Sequence, residues 1–369
     1  MTVDRREMLG ALSALTMAAV ASEAGGAAQP QVTKPSRKIA TEEACSIPEV
    51  AQRLRDVARA GGSSLDLKLV NRIYNAPPDK PPPFLADLLD IDAGRLKVMD
   101  ENGVDMHILS LTAPGVQMFD ADTGTALAAL ANDRLAEAVR RHPRRFAGLA
   151  TFAPQDPKRA VREMERAMRA LRLNGFIINS HTNNEYLDQE KFWPILEAAE
   201  ALDAAIYIHP RAPSDGMAAP FRDYNSEGAV WGYGMETGTH AVRLMLSGVF
   251  DRYPKLRIVL GHMGEAVPFW LWRLDFMGGP RWGTRPNQLT PSEYFRRNFA
   301  LTTSGAEDHL ALRYCIDRVG VDNVMWAIDH PYQPTPPAVA FIDNAPLSAA
   351  EKEKVAHANA ARIFHIEVA

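Results

Sequence analysis

Cysteine is nearly absent. Cys45 and Cys315 are the only two in 369 residues, and neither has a neighbour at C-x-x-C spacing. That excludes a disulfide framework and a thiolate-rich zinc site, and leaves both thiols as small apolar groups for the interior. Blocks of one charge are missing too. With a formal net charge of −4 and no Lys/Arg run inside the folded part, the chain offers no surface for nucleic acid. No glycine-rich phosphate loop follows an early strand, which disfavours an open doubly wound sheet built round a nucleotide. No internal repeat is visible. Apolar runs stop short of the roughly 20 residues that a membrane-spanning helix needs.

The most distinctive apolar run lies in "DRREMLGALSALTMAAVASEAGGAAQP", where Arg5-Arg6 precede a stretch from about Met8 to Ala21 and then small residues. This is the order of an export signal, and Arg5-Arg6 followed by Glu7-Met8-Leu9 resembles a twin-arginine signal. The expected division is residues 1–28 as a signal peptide, with cleavage after Ala21 or Ala28, and residues 29–369 as one catalytic domain. The mature form would be periplasmic, with no membrane span.

What remains is 46% apolar and 23% charged, enough for a large α/β core. Short β-rich runs fall at about 38–43, 104–110, 145–151, 175–180, 204–209, 256–261, 298–303 and 323–328. Between them lie segments of helical period such as "DPKRAVREMERAMRAL" and "EKFWPILEAAEAL". Eight alternating units predict a (β/α)8 TIM-like barrel with its active site at the C-terminal strand ends. The proline-rich stretch from 45 to 95 reads as a long loop over the barrel mouth.

The strand ends then become informative. They carry Glu42, Ser110, Ser180 with His181, His209, His262, Ser304 and Asp329. Glu42, His209 and Asp329, in the contexts "EEAC", "IYIHPR" and "AIDHPY", form an oxygen-rich set suited to a divalent ion, Mn²⁺, Mg²⁺ or Zn²⁺. Any one alone would read as an ordinary hydrogen-bonded polar group, but three at strand ends of one barrel read as metal ligands. Glu43 points the opposite way along its strand and is expected to be structural. His107 reads as an interior histidine. His142, His309 and His357 read as surface groups. His181 and His330 divide evenly between pocket and scaffold, while Trp231, Tyr233 and Tyr332 could wall a flat ring or, as often, pack at the barrel mouth.

Together "KIATEEA", "RLKVMDENGVDMHILSLTAPGVQ", "RRFAGLATFAPQDP", "YIHPR", "LSGVFDRYPKLRIVLGHMGEAVPFWLWRLD", "SEYFRRNFALTTSG" and "AIDHPYQ" resemble the amidohydrolase-related, metal-dependent decarboxylases. That family includes γ-resorcylate, 2,3-dihydroxybenzoate and 5-carboxyvanillate decarboxylases. The resemblance places Glu42, His209 and Asp329 on metal-ligand positions, His262 on a catalytic histidine and Glu265 on the carboxylate that orients it. Ala44 stands where many relatives carry a second first-strand ligand, and "IINSHT" lacks the bridging lysine of two-metal hydrolases. One ion is therefore implied.

The implied reaction is non-oxidative loss of CO₂ from a hydroxylated aromatic acid, with Asp329 as proton donor to the ring and His262 and Glu265 assisting. Relatives also imply a homodimer or homotetramer, with the aromatic segment "VPFWLWRLDFM" as a candidate interface. The rival expectation is a hydrolase of an ester, lactone or amide, in which the same ion activates water and Asp329 is the base. A non-catalytic exported ligand-binding protein is the third.

Overall fold

Eight short buried strands run parallel in sequence order. They are β1 (Ile39–Cys45), β2 (Met106–Leu111), β3 (Phe146–Thr151), β4 (Gly175–Asn179), β5 (Ile206–His209), β6 (Ile258–Leu260), β7 (Phe299–Thr302) and β8 (Val324–Met325). Each lies on a run expected from the sequence. The computed structural model describes residues 34–77, 79–80, 84–278 and 287–367, so the expected signal at 1–28 lies outside the described residues.

The seam between the last strand and the first is drawn together beyond β8. There Ala44 N donates to His330 O at 2.8 Å, and Thr41 Oγ1 donates to Trp326 O at 2.8 Å. The result is a nearly closed (β/α)8 barrel, not an open sheet. Side chains alternate as strand geometry requires. Ile108, Leu149, Ile177, Tyr207, Val259 and Ala300 fill the inside, plugged at one end by Ile363 and Phe364 from the end of the chain. The alternate set, including Leu109, Phe176, Ile206, Leu260 and Leu301, packs outward against the helices.

Helices return the chain between strands and start at residues suited to the task. Asp120 caps α5 (Ala121–Arg141) by accepting from Asp122 N and Thr123 N, and Asp156 with Pro157 opens α6 (Pro157–Arg169). The expectation of a long loop at 45–95 is corrected. That stretch holds α1 (Pro48–Ala60), α2 (Asp66–Tyr74), α3 (Leu85–Leu89) and the start of α4 (Ala93–Asn102). Val50, Leu54, Val70 and Ile73 repeat at helical spacing and pack together, a pattern that the prolines after Ala76 obscured. Among the described residues no helix is long and apolar enough to cross a membrane.

Candidate metal centre and active site

Three inward positions above the apolar plug carry hydroxyls: Tyr207 on β5, Thr302 on β7 and Ser304 just past it. All three donate to Glu42 Oε2, Thr302 at 3.1 Å. Thr302 Oγ1 also lies 2.7 Å from Tyr207 OH and 2.6 Å from Ser304 Oγ. One carboxylate oxygen is thus fixed while its twin, Oε1, is buried without a hydrogen-bond partner. The cradle leaves no spare room. A Cβ on Gly261, at the end of β6, would fall 2.6 Å from Glu42 Oε2 and 3.0 Å from Tyr207 OH.

His209 faces the unpaired oxygen. Its Nδ1 donates to Pro210 O at 2.7 Å, which leaves Nε2 directed at Glu42 Oε1 at 3.3 Å. Asp329 completes the group: one donor atom from each of Glu42, His209 and Asp329 lies within 4.8 Å of the others. A buried, unpartnered carboxylate oxygen facing an imidazole lone pair and a second carboxylate suits a divalent cation, so the residues fit one. No second cluster of three such ligands occurs among the described residues.

His262 stands beside this group. Its Nε2 is 3.9 Å from both Glu42 Oε1 and Asp329 Oδ2, and its Nδ1 is 2.7 Å from Glu265 Oε1. The backbone that aims these side chains is strained: Asp329 (φ +73°), His262 (φ +49°), Met263 (φ +55°) and Glu265 (φ +54°) all occupy the left-handed region. Such conformations cost of order 1–3 kcal/mol each and collect at functional sites.

Electrostatics follow from the packing. Burial would raise the Glu42 carboxyl, but His262, His209 and the hydroxyl donors outweigh it and hold the group below its usual range. Burial leads in raising Asp329. Desolvation would lower His262, yet Glu265, Glu42 and Asp329 carry it well above an ordinary histidine. A bound dication would reverse part of this, favouring ionised carboxylates and disfavouring a charged His262.

Above the site opens a cavity of about 430 Å³, within the range of small-molecule pockets. His209, His262 and Asp329 line its floor; Leu65, Leu69 and Arg72 from the α2 region, with Phe84, Tyr233 and Tyr332, form its walls. Tyr233 and Tyr332 therefore line the cavity, whereas Trp231 is 56% exposed and lies outside the lining. His181 and His330 are scaffold. His181 bonds Ala212 O at 3.2 Å, and the His330 ring rests 5.8 Å from that of His107. His142, His309 and His357 are partly buried groups bonded to Asp92, Phe341 O and Glu353. Cys45 and Cys315 are free and buried. Tyr207 and Thr302 are not among the residues expected from the sequence, although each stands two residues before a named strand-end residue and so on the same face.

The sequence matches the amidohydrolase family over residues 80–366, and the chain belongs to that family. It is 38% identical over 306 residues to the gamma-resorcylate decarboxylase of Polaromonas sp. strain JS666, covering 78% of this chain and 92% of that one. The crystal structure of the 5-carboxyvanillate decarboxylase of Sphingomonas paucimobilis is similar at a TM-score of 0.88 and 58% identity, covering 90% of this chain and 99% of that one. The 5-carboxyvanillate decarboxylase of Novosphingobium aromaticivorans, complexed with manganese and 4-hydroxy-3-methoxy-5-nitrobenzoic acid, gives 0.86 and 39%, covering 89% and 96%.

Proposed function

We propose that the chain removes, as CO₂, a carboxylate ortho to a ring hydroxyl from an aromatic acid of the 5-carboxyvanillate kind, and that its ion is manganese. The wider class is metal-dependent aromatic-acid decarboxylation, by a carboxy-lyase of the amidohydrolase superfamily. The observation that carries the reading is the convergence of Glu42 with His209 and Asp329, the last two on the floor of a ring-sized, aromatic-walled cavity. The three-donor site alone would also suit a hydrolase, but the relatives named above are all decarboxylases. A second carboxylate on the substrate, as in 5-carboxyvanillate, would find a partner in Arg72, a cation on the cavity wall that pairs with no carboxylate among the described residues. Its neighbour Lys68 is engaged by Glu227 at 2.7 Å.

When bound, one divalent ion held by Glu42, His209 and Asp329 supplies Lewis acidity and a template for carboxylate and phenolate oxygens. The chain's own groups do the rest. Tyr233 and Tyr332 hold the ring flat against the floor. As the ring hydroxyl ionises, the Asp329 carboxylate takes its proton and passes it to the ring carbon that bears the departing carboxylate. As the C–C bond breaks, its electron pair returns to the ring and CO₂ leaves, so the departing group is replaced by hydrogen. His262, oriented by Glu265, stands within reach to return a proton to Asp329.

The test is to incubate Mn²⁺-loaded protein with ortho-hydroxybenzoates, esters and lactones while following CO₂ and product mass. CO₂ from the hydroxybenzoates alone supports the reading, and hydrolysis without CO₂ overturns it. We also propose export through residues 1–28. Arg5→Lys with Arg6→Lys should leave the precursor in the cytoplasm, and normal periplasmic accumulation would contradict this. Homo-oligomers are proposed through the helix Val267–Met277, which exposes Phe269, Trp272 and Phe276.

A further inference from the structure

We propose that the buried Asp66–Arg211 ion pair positions the α2 wall of the substrate cavity over the metal site. Asp66 is 3% exposed and Arg211 4%. Arg211 Nη2 and Nε both donate to Asp66 Oδ2, Nε at 3.2 Å, while Nη1 donates to His181 O at 2.9 Å. Asp66 Oδ1 accepts Ala212 N at 3.2 Å. His181 Nε2 closes the ring at Ala212 O, and Gln117 Nε2 ties in His181 O at 2.8 Å. The first turn of α2 and the loops after β2, β4 and β5 therefore meet at one buried junction. Arg211 follows His209 by two residues, so the junction links the cavity wall to the segment that carries a metal ligand.

Stability does not require such a pair. A buried ion pair is often no better than apolar side chains of similar volume, because desolvation cancels its attraction. What it adds is direction, since a guanidinium that satisfies Asp66, His181 O and its own packing admits one placement. The rest of α2 needs that direction. Val70 and Ile73 pack it on α1 as one apolar unit, and the chain enters through Gly61 and Gly62 at φ +79° and +153°, where only glycine is comfortable. Beyond the pair, α2 meets the far side of the cavity through Lys68, which is half exposed, and through Leu65 before its first turn, which packs on Ala212, Ala218 and Tyr233. Loss of the pair would let Leu65, Leu69 and Arg72 shift together, and a shift near 1 Å costs up to about 100-fold in a positioned site.

The proposal rests on the hydroxybenzoate reading of the cavity, and its test separates the two. Mn²⁺-loaded Asp66→Leu/Arg211→Met, which removes both charges, is compared with wild type for bound manganese, for Kd of 4-hydroxy-3-methoxy-5-nitrobenzoate, and for KM and kcat with 5-carboxyvanillate. Manganese should stay at one per chain, Kd and KM should rise about tenfold or more, and kcat should fall less than KM rises. Arg211→Lys, which keeps the charge but loses the fork, should fall between, and it decides the matter if the double variant does not fold. An unchanged Kd overturns the proposal. So does a loss of manganese in step with the loss of ligand, which would make the pair a support for His209 instead. Failure of the wild type itself to bind the nitro acid removes the hydroxybenzoate reading, and this inference with it.

Discussion

Glu43 Oε2 accepts the backbone N–H of His330 at 3.1 Å, and Glu43 Oε1 accepts that of Ile328 at 3.0 Å. One carboxyl therefore grips both sides of Asp329. The two adjacent glutamates at the end of β1 divide the work: Glu42 turns to the site, and Glu43 straps the barrel seam that presents Asp329. Glu43→Gln keeps one acceptor and sets an NH₂ against the other amide. A buried donor left unsatisfied costs about 1–3 kcal/mol. Denaturant unfolding of the variant should show a loss of that order; an unchanged midpoint would contradict the strap.

Gly261 gives the Glu42 carboxyl the space it occupies. Gly261→Ala should keep the fold, because its φ of −73° suits alanine, while the added Cβ displaces Glu42 or its hydroxyl donors. Disturbing the groups that hold a ligand typically costs about 10–100-fold in metal affinity. Competition titration of manganese against a chelator measures it, and wild-type affinity in the variant would show that the cradle does not set the ligand.

The barrel, its eight strands and the grouping of Glu42, His209 and Asp329 were legible because each rests on a local pattern: a short apolar run ending in a polar residue. Two parts were not. The helices of 45–95 lay beside a proline cluster that reads as loop. The hydroxyl cradle of Glu42 is built from β5 and β7, and only closure of the barrel brings those strands to Glu42. Glu43 was expected to be structural, but its partners at Ile328 and His330 could not be named until the seam was seen. The Asp66–Arg211 junction joins residues 145 apart in sequence, with no motif to mark either.

His240 on the helix Gly232–Leu246 is buried; its Nε2 accepts Leu187 N at 3.1 Å, and its Nδ1 lies 3.3 Å from Ser180 Oγ. Burial first, then His181 and Arg243, press it down to about 3 from 6.5. The folded protein therefore refuses a proton that the unfolded chain takes up below about pH 6.5. This contribution erodes stability as pH falls from about 6.5 toward 3, by up to about 1.4 kcal/mol per pH unit. Urea midpoints at pH 7 and 5 should converge more closely in His240→Gln than in wild type; equal pH dependence would contradict a neutral buried histidine.

Asp329→Asn separates holding the ion from giving the proton. The amide keeps an oxygen for the metal but loses the acid. With excess Mn²⁺ the variant should still bind 4-hydroxy-3-methoxy-5-nitrobenzoate, while turnover falls by at least the roughly 10²–10⁴-fold that a general acid contributes. Near-normal turnover would pass the proton-donor role to His262.

Decarboxylation itself is read by running the Mn²⁺-loaded wild-type protein on 5-carboxyvanillate in D₂O and weighing the product. The expected products are CO₂ and a vanillate that carries one deuterium at the carbon that lost its carboxylate. Recovery of the intact diacid with no CO₂, from protein shown to hold manganese, would contradict it.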